Sequence, residues 1–236
     1  MGLRMNNQQM SGKDFHKRAE RAREHGSFTE ALNLCELAFE IYAREKNELG
    51  MSEICSSSSL ALRHLSEKYS DDKSYLIRAM YAAKSGVEIA RSSGDKDALS
   101  LPFYNLAMAH YSLGEYKEAV KLFKEAIKAL PDSLHNSPSQ LANMTIHLEV
   151  ASYRNGDKKA YGRALRALEN LENSEQLKYE KDVWVAGGYM KIAEAIYRDE
   201  KKNAKEYLKK AQDIIEANPE LILRKGQLER LLKKLS

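Results

Sequence analysis

Six histidines, two cysteines and a run of four serines are the side chains here most able to do chemistry, and their spacing assembles no reacting centre. His16, His25, His64, His110, His135 and His147 form no HxxH or HExxH pattern, so no helix offers two imidazoles to one metal ion. Cys35 and Cys55 have no CxxC or His partner nearby and read as reduced, mostly buried thiols of a cytoplasmic protein. The serines at 56–59 stand outside any GxSxG context, and small polar residues in a helix serve the close approach of a neighbouring helix or ligand instead. Neither a P-loop nor a GxGxxG loop is present. Carboxylates are abundant, but they spread along helix faces with Glu–Lys pairs at four-residue spacing, such as Glu206 and Lys210. The expectation is a protein that is not an enzyme and that needs no cofactor and no metal.

The elements that carry these residues are helical. Only 12 Gly and 4 Pro punctuate 236 residues, and Ala, Leu, Glu and Lys, all strong helix formers, dominate. Apolar residues make up 43% and charged residues 31%, a balance that folds rather than stays disordered. The net charge of +4 is well mixed along the chain, which disfavours nucleic acid, whose binding surfaces concentrate Lys and Arg on one face. Only the ends are mildly basic, through Arg18, Arg21 and Arg23 and through Lys209, Lys210, Lys233 and Lys234. No apolar run is long enough to span a membrane, and the first residues lack the apolar centre of a signal peptide. Gly2 is followed by Asn6 where a myristoylation signal wants Ser or Thr.

One internal unit is clear. In FYNLAMAHYSLGEYKEAVKLFKEAIKALP, from Phe103 to Pro131, Leu106, Ala107, His110 and Tyr111 fall at helical spacing and Gly114 breaks the helix. Ala119, Phe123 and Ala126 then recur four and three apart, and Pro131 stops the second helix. The small residues let two antiparallel helices approach, and Phe123 and Leu106 fill the space between them. This unit resembles the tetratricopeptide repeat, a helix-turn-helix whose pattern is met by Phe103, Leu106, Ala107, Gly114, Tyr116, Ala119, Phe123, Ala126 and Pro131.

Weaker copies extend the pattern. Phe15, Ala19, Ala22, Gly26, Phe28, Ala31 and Ala38 mark a first repeat, from which Cys35 departs and so does Arg18, an Arg there suiting a terminal unit. HLEVASYRNGD from His147 aligns with NLAMAHYSLGE of the clear repeat, and Ala160, Ala164 and Leu168 follow. Tyr189, Ile192, Ala193 and Tyr197, then Ala204, Leu208 and Ala211, mimic a last hairpin. The stretch from Met51 to Gly94 diverges most. Its second helix carries Ala79, Ala83 and Gly86, while its serine-rich first helix has no secure register. Ser137-Pro138-Ser139-Gln140 reads as a capping box opening the fourth repeat. Leu221, Leu228, Leu231, Leu232 and Leu235 with Arg224, Lys225, Lys233 and Lys234 describe one amphipathic helix placed to cover the last hairpin.

The expected architecture is therefore an all-α solenoid of about five helical hairpins, some eleven helices, in one domain over 11–236 behind a flexible 1–10. The repeats fall near 12–46, 50–94, 97–131, 138–174 and 180–217, with a capping helix at 220–235. The resemblance implies a right-handed superhelix whose first helices line a concave groove, and a function in binding another protein or a peptide there, with self-association left open. Carried over from the clear repeat, groove positions are Tyr104, Met108 and Tyr111, then Ile146, Val150 and Tyr153, and Tyr197 in the last unit. The first repeat offers His16, Glu20 and Arg23. Glu20 would repel a carboxylate, which discounts the clamp for acidic tails that some members carry. A regulatory sensor of the same fold is the alternative, and an RNA-binding helical repeat ranks below both.

Overall fold

The computed structural model describes residues 10–69, 72–95, 98–133, 135–175 and 177–236, so the expected flexible segment at 1–10 lies, Met10 apart, outside the described residues. Among the described residues eleven α-helices follow one another: α1 Gly12–Glu24, α2 Phe28–Arg44, α3 Glu48–Lys68, α4 Lys73–Ser92, α5 Ser100–Ser112, α6 Tyr116–Ala129, α7 Pro138–Arg154, α8 Ala160–Glu172, α9 Lys178–Ile196, α10 Lys201–Ala217 and α11 Ile222–Leu235. No strand occurs among the described residues.

Local chemistry sets the helix ends. Ser11 caps α1 in a reciprocal box with Asp14, its hydroxyl accepting from the Asp14 amide while the Asp14 carboxylate accepts from the Ser11 amide. Ser137 caps α7, its Oγ accepting from the Gln140 amide at 3.1 Å, with Pro138 in the first turn where a missing N–H costs nothing. Gly114 turns α5 into α6 at φ +82°, the left-handed region that favours glycine. Gly26 and Gly156 do the same after α1 and α7.

Consecutive helices pair as α1/α2, α3/α4, α5/α6, α7/α8 and α9/α10, and each second helix also packs on the first helix of the next pair. The odd-numbered helices from α1 to α9 touch their odd-numbered neighbours, forming an inner layer, and the even-numbered ones stand outside. Ala119, Phe123 and Ala126 are all 0% exposed, so the alanines of the clear repeat are where helix surfaces meet, as the spacing requires. One serine of α3, Ser52, finds its explanation in the same way, while Ser56 and Ser59 are buried with hydroxyls that make no hydrogen bond. Ser52 Oγ donates to the Gly86 carbonyl of α4 at 2.9 Å, and a Cβ on Gly86 would lie 3.1 Å from the Ser52 carbonyl oxygen and 3.2 Å from Cys55 Cβ. Small side chains on both helices let α3 and α4 pack closely along their long shared face.

α11 does more than cover the last hairpin. It packs on α9 and α10, and it also reaches α1 at the other end of the chain. Leu223 sits in one apolar cluster with Phe28, Leu62, Leu65 and Ala79, while Leu228 and Leu231 belong to the large cluster built on α7 to α10. Tyr179 at the start of α9 donates to Glu24 at the end of α1, 3.3 Å away. The first and last hairpins therefore touch, and the inner layer curls around α11.

Candidate functional site

The inner layer gathers polar and aromatic side chains from five helices onto α11. Arg224 of α11 is the centre. Its Nε donates to the Val183 carbonyl at 2.9 Å and its Nη1 to Gln227 Oε1 at 2.7 Å. Gly187 makes room for it: a Cβ there would stand 3.1 Å from Arg224 Nη2 and 3.2 Å from Cζ. Burial pulls the Arg224 guanidinium below its ordinary value, against the opposing fields of Glu24 and Glu67. Glu67 on α3 accepts from Gln227 Nε2 at 2.9 Å and faces Arg230 at 3.9 Å. Glu194 on α9 bridges Lys191 and Lys234, each at 3.4 Å, and these two cations hold its carboxyl below the usual range, Lys191 first.

Around this line stand rings and further cations. His147 lies 5.6 Å from the Tyr104 ring and 6.2 Å from the Phe123 ring, centroid to centroid. Burial first, then the charges of Lys191, Arg63 and Arg224, depress its pKa to about 3, so the imidazole is neutral at any physiological pH. Burial raises the Tyr104 phenol, an effect that Arg63 opposes most among its charged neighbours. Lys191 Nζ stands 5.6 Å over the Tyr111 ring. Arg63 Nε and His64 Nδ1 are buried on α3 without a hydrogen bond.

The expected groove residues divide. Tyr104 and Tyr111 do face this region through the contacts just given. Met108, Ile146, Val150 and Tyr153 do not line an open surface; they are 5%, 0%, 2% and 6% exposed and belong to the core clusters. Ile146 aligns with Tyr104, but its side chain ends in the seam between hairpins, where a Cβ on Gly188 would be 3.4 Å from Ile146 Cδ1 and 2.9 Å from Leu168 Cδ1. An aliphatic side chain is spent filling that seam, whereas the longer tyrosine reaches through it. Tyr153 turns towards the hairpin loop and donates to Asp199 at 2.6 Å. Tyr197, at the end of α9, lies under Lys201, whose Nζ is 5.4 Å from its ring centre. In α1, His16 pairs with Ser57 at 2.9 Å, Glu20 is exposed, and Arg23 is bound to Glu24.

Sequence reasoning missed Arg63, Glu67, His147, Lys191 and Glu194. Gly187 and Lys191 are four apart and Glu194 three further on, a helical stripe that was legible in the chain; nothing local told that it faced α11, through Arg224 and Lys234, rather than solvent. Among the described residues no group of three His, Cys, Asp or Glu side chains could hold a metal ion, and no helix is long and apolar enough to cross a membrane. A recess over the turn at Gly114, lined by Glu115, Tyr116, Lys117, Glu118 and Asn155, is open to solvent.

These features define a helical-repeat solenoid whose inner layer curls around α11. Residues 101–133 match the family model of the tetratricopeptide repeat, the same unit that its glycine, alanines and proline mark. No curated protein sequence matches the chain. Among solved structures, the chain is similar to a putative kinesin light chain of Podosopora anserina with nearly identical tetratricopeptide-like repeats, at 17% identity and a TM-score of 0.56 over 86% of this chain and 93% of that one. A Rap protein complexed with competence and sporulation factor aligns at 18% identity and a TM-score of 0.60, over 95% of this chain and 64% of that one. The apo form of RapI aligns at 16% identity and a TM-score of 0.60, over 94% and 84%. The fold is thus a tetratricopeptide-like α-solenoid.

Proposed function

We propose that the chain is a cytoplasmic protein-interaction scaffold that takes a peptide or protein segment along its inner face and carries out no reaction. One observation carries this reading. Arg63, Tyr104, His147, Lys191 and Glu194 come from four different helices onto one face, and a core of helical hairpins needs none of them. Buried ionisable groups are costly to a fold and so mark a surface shaped for contact with something else. Tyr104, Tyr111 and the Lys191–Glu194 pair form the wall we assign to the partner. A similar fold holds competence and sporulation factor in the Rap complex, which supports a binding role. The free, buried Cys35 and Cys55 suit a reducing compartment.

The test is a double substitution, Tyr104→Leu with Lys191→Ala, chosen to keep the packing on Phe123. A partner captured by the wild type should bind it more weakly by about 2 kcal/mol or more, the hot-spot scale, with helicity unchanged. Equal binding by a folded variant moves the site off the inner face. The alternative, a ligand-responsive sensor of the same fold, is favoured by one feature: α11 ties α3 to α9, so whatever shifts it alters the closure of the whole layer.

A further inference from the structure

We propose that α11 is the resident occupant of the inner groove, and that the outside partner is a basic amphipathic helix that repeats the anchor spacing of α11 and displaces it to bind. This rests on the groove reading above and adds the partner's chemistry and the competition.

The chemistry is read from what α11 already satisfies. Leu223 enters the cluster of Phe28, Leu62 and Leu65 near the first hairpins. The next residue, Arg224, bonds the Val183 carbonyl in the space that Gly187 leaves. Gln227 meets Glu67, Leu228 and Leu231 enter the last hairpins, and Lys234 meets Glu194. Between Ile222 and Leu235 the helix carries five cations (Arg224, Lys225, Arg230, Lys233 and Lys234) against one carboxylate, Glu229. The wall answers with Glu67 and with Glu24 and Glu194, the last two already paired with Arg23 and Lys191 of the wall itself, so Glu67 is the carboxylate left for a cation of the incoming helix. A segment with leucines at the places of 223, 228 and 231 and cations at those of 224 and 234 meets the same wall.

α11 is also built to leave. It opens on Leu221 with no side-chain cap, it has Gly226 in its interior, and at 14 residues it is marginal as a helix away from its support. Its seat is imperfect, since Arg230 Nη2 together with Arg63 Nε and His64 Nδ1 is buried without a hydrogen bond. Only the short connection from Asn218 to Leu221, which includes Pro219, joins it to α10, so it can swing out without unravelling a hairpin.

The experiment uses the 236-residue chain and, as probe, a fluorescein-labelled synthetic peptide of residues 220–236. In the wild type the tethered α11 competes with it. Leu223→Asp and, as a milder change, Arg224→Gln loosen α11, and the peptide should bind these variants about tenfold or more tightly than wild type, because a site open only part of the time binds in proportion to that fraction. Gly226→Ala should act the other way. A Cβ there meets only the tip of Arg230, 3.4 Å off, so the stiffer helix closes the groove and weakens the probe about fivefold. If Leu223→Asp does not fold, Arg224→Gln carries the comparison. Failure of the peptide to bind either folded loosened variant overturns the proposal, as does equal binding to all the variants, which would mean a site elsewhere. A wild-type dimer in sedimentation that Leu223→Asp dissociates gives the groove to the α11 of a second copy and overturns the arrangement within one chain. A partner that the wall substitutions lose but that wild type and Leu223→Asp bind alike sinks this proposal and leaves the groove reading standing.

Discussion

The side-chain amide of Gln227 donates to the carboxylate of Glu67 across 2.9 Å, although 160 residues separate them. The bond joins α11 to α3 and so ties the last element of the chain to the second hairpin. Arg230 faces the same carboxylate at 3.9 Å. Glu67→Gln keeps an acceptor for Gln227 but removes the charge facing the arginines. Because Glu67 is partly exposed, the loss should be modest, on the order of 1 kcal/mol. Amides of α11 should exchange about fivefold faster by hydrogen–deuterium measurement while those of α5 and α6 keep their protection; unchanged α11 exchange would separate Glu67 from the seating of that helix.

Stability should fall as the solution is acidified from neutrality. His147 titrates near 3 in the folded chain and near 6.5 when unfolded, and burial holds His64 well below its ordinary value too. Between those two values the unfolded state binds the proton and the folded state does not, so stability is fully present above about 6.5 and drains as pH falls towards 3. For His147 alone the loss from pH 7 to pH 5 is about 2 kcal/mol. Urea midpoints at the two pH values measure it, and His147→Phe should flatten the dependence. A midpoint unchanged over that range would place the ring in water.

Ala119 is a contact point between helices, fully buried in the cluster with Phe123 and Leu106. Ala119→Leu puts an isobutyl group into filled space and should cost about 1–3 kcal/mol. A thermal denaturation midpoint equal to that of wild type would show free volume at that seam.

The ring of Tyr42 lies between two glycines. A Cβ on Gly50 would stand 2.6 Å from Tyr42 Cδ1, and one on Gly12 would stand 2.7 Å from Cε1. Both glycines lie in helices, where alanine is otherwise the better residue by about 1 kcal/mol. Overpacking should outweigh that gain, so Gly50→Ala should destabilise by about 1–2 kcal/mol. A second variant, Gly50→Ala with Tyr42→Leu, should recover most of the loss in the same chemical denaturation assay, since the shorter side chain no longer meets the new methyl.

Much of the helical framework was legible in the chain. Ala119, Phe123 and Ala126 announced a packed helix face by their spacing, and Gly114 announced a turn, because these are demands that a helix and a tight turn make on nearby residues. The serines of α3 signalled only that something could approach closely, not what. For Ser52 the answer appears only when Gly86 of α4 is brought against it. The groove was the least legible part. Transferring a register from Tyr104 to Ile146 placed Ile146 on the groove, whereas its side chain is fully buried, because register says nothing of depth, and depth decides whether a side chain ends in the core or passes through it.

The sequence by itself determined the helices, their pairing into hairpins and the alanine contacts, since each depends on residues within a few turns of one another. Tertiary structure decided that the inner layer closes until Tyr179 meets Glu24, and that α11 fills the space so enclosed. It also decided that Arg63, His147, Lys191 and Glu194 converge there. The physical reason is accumulation. Each hairpin adds a small rotation to the one before, and only their sum over the whole solenoid fixes which distant residues face each other across its centre.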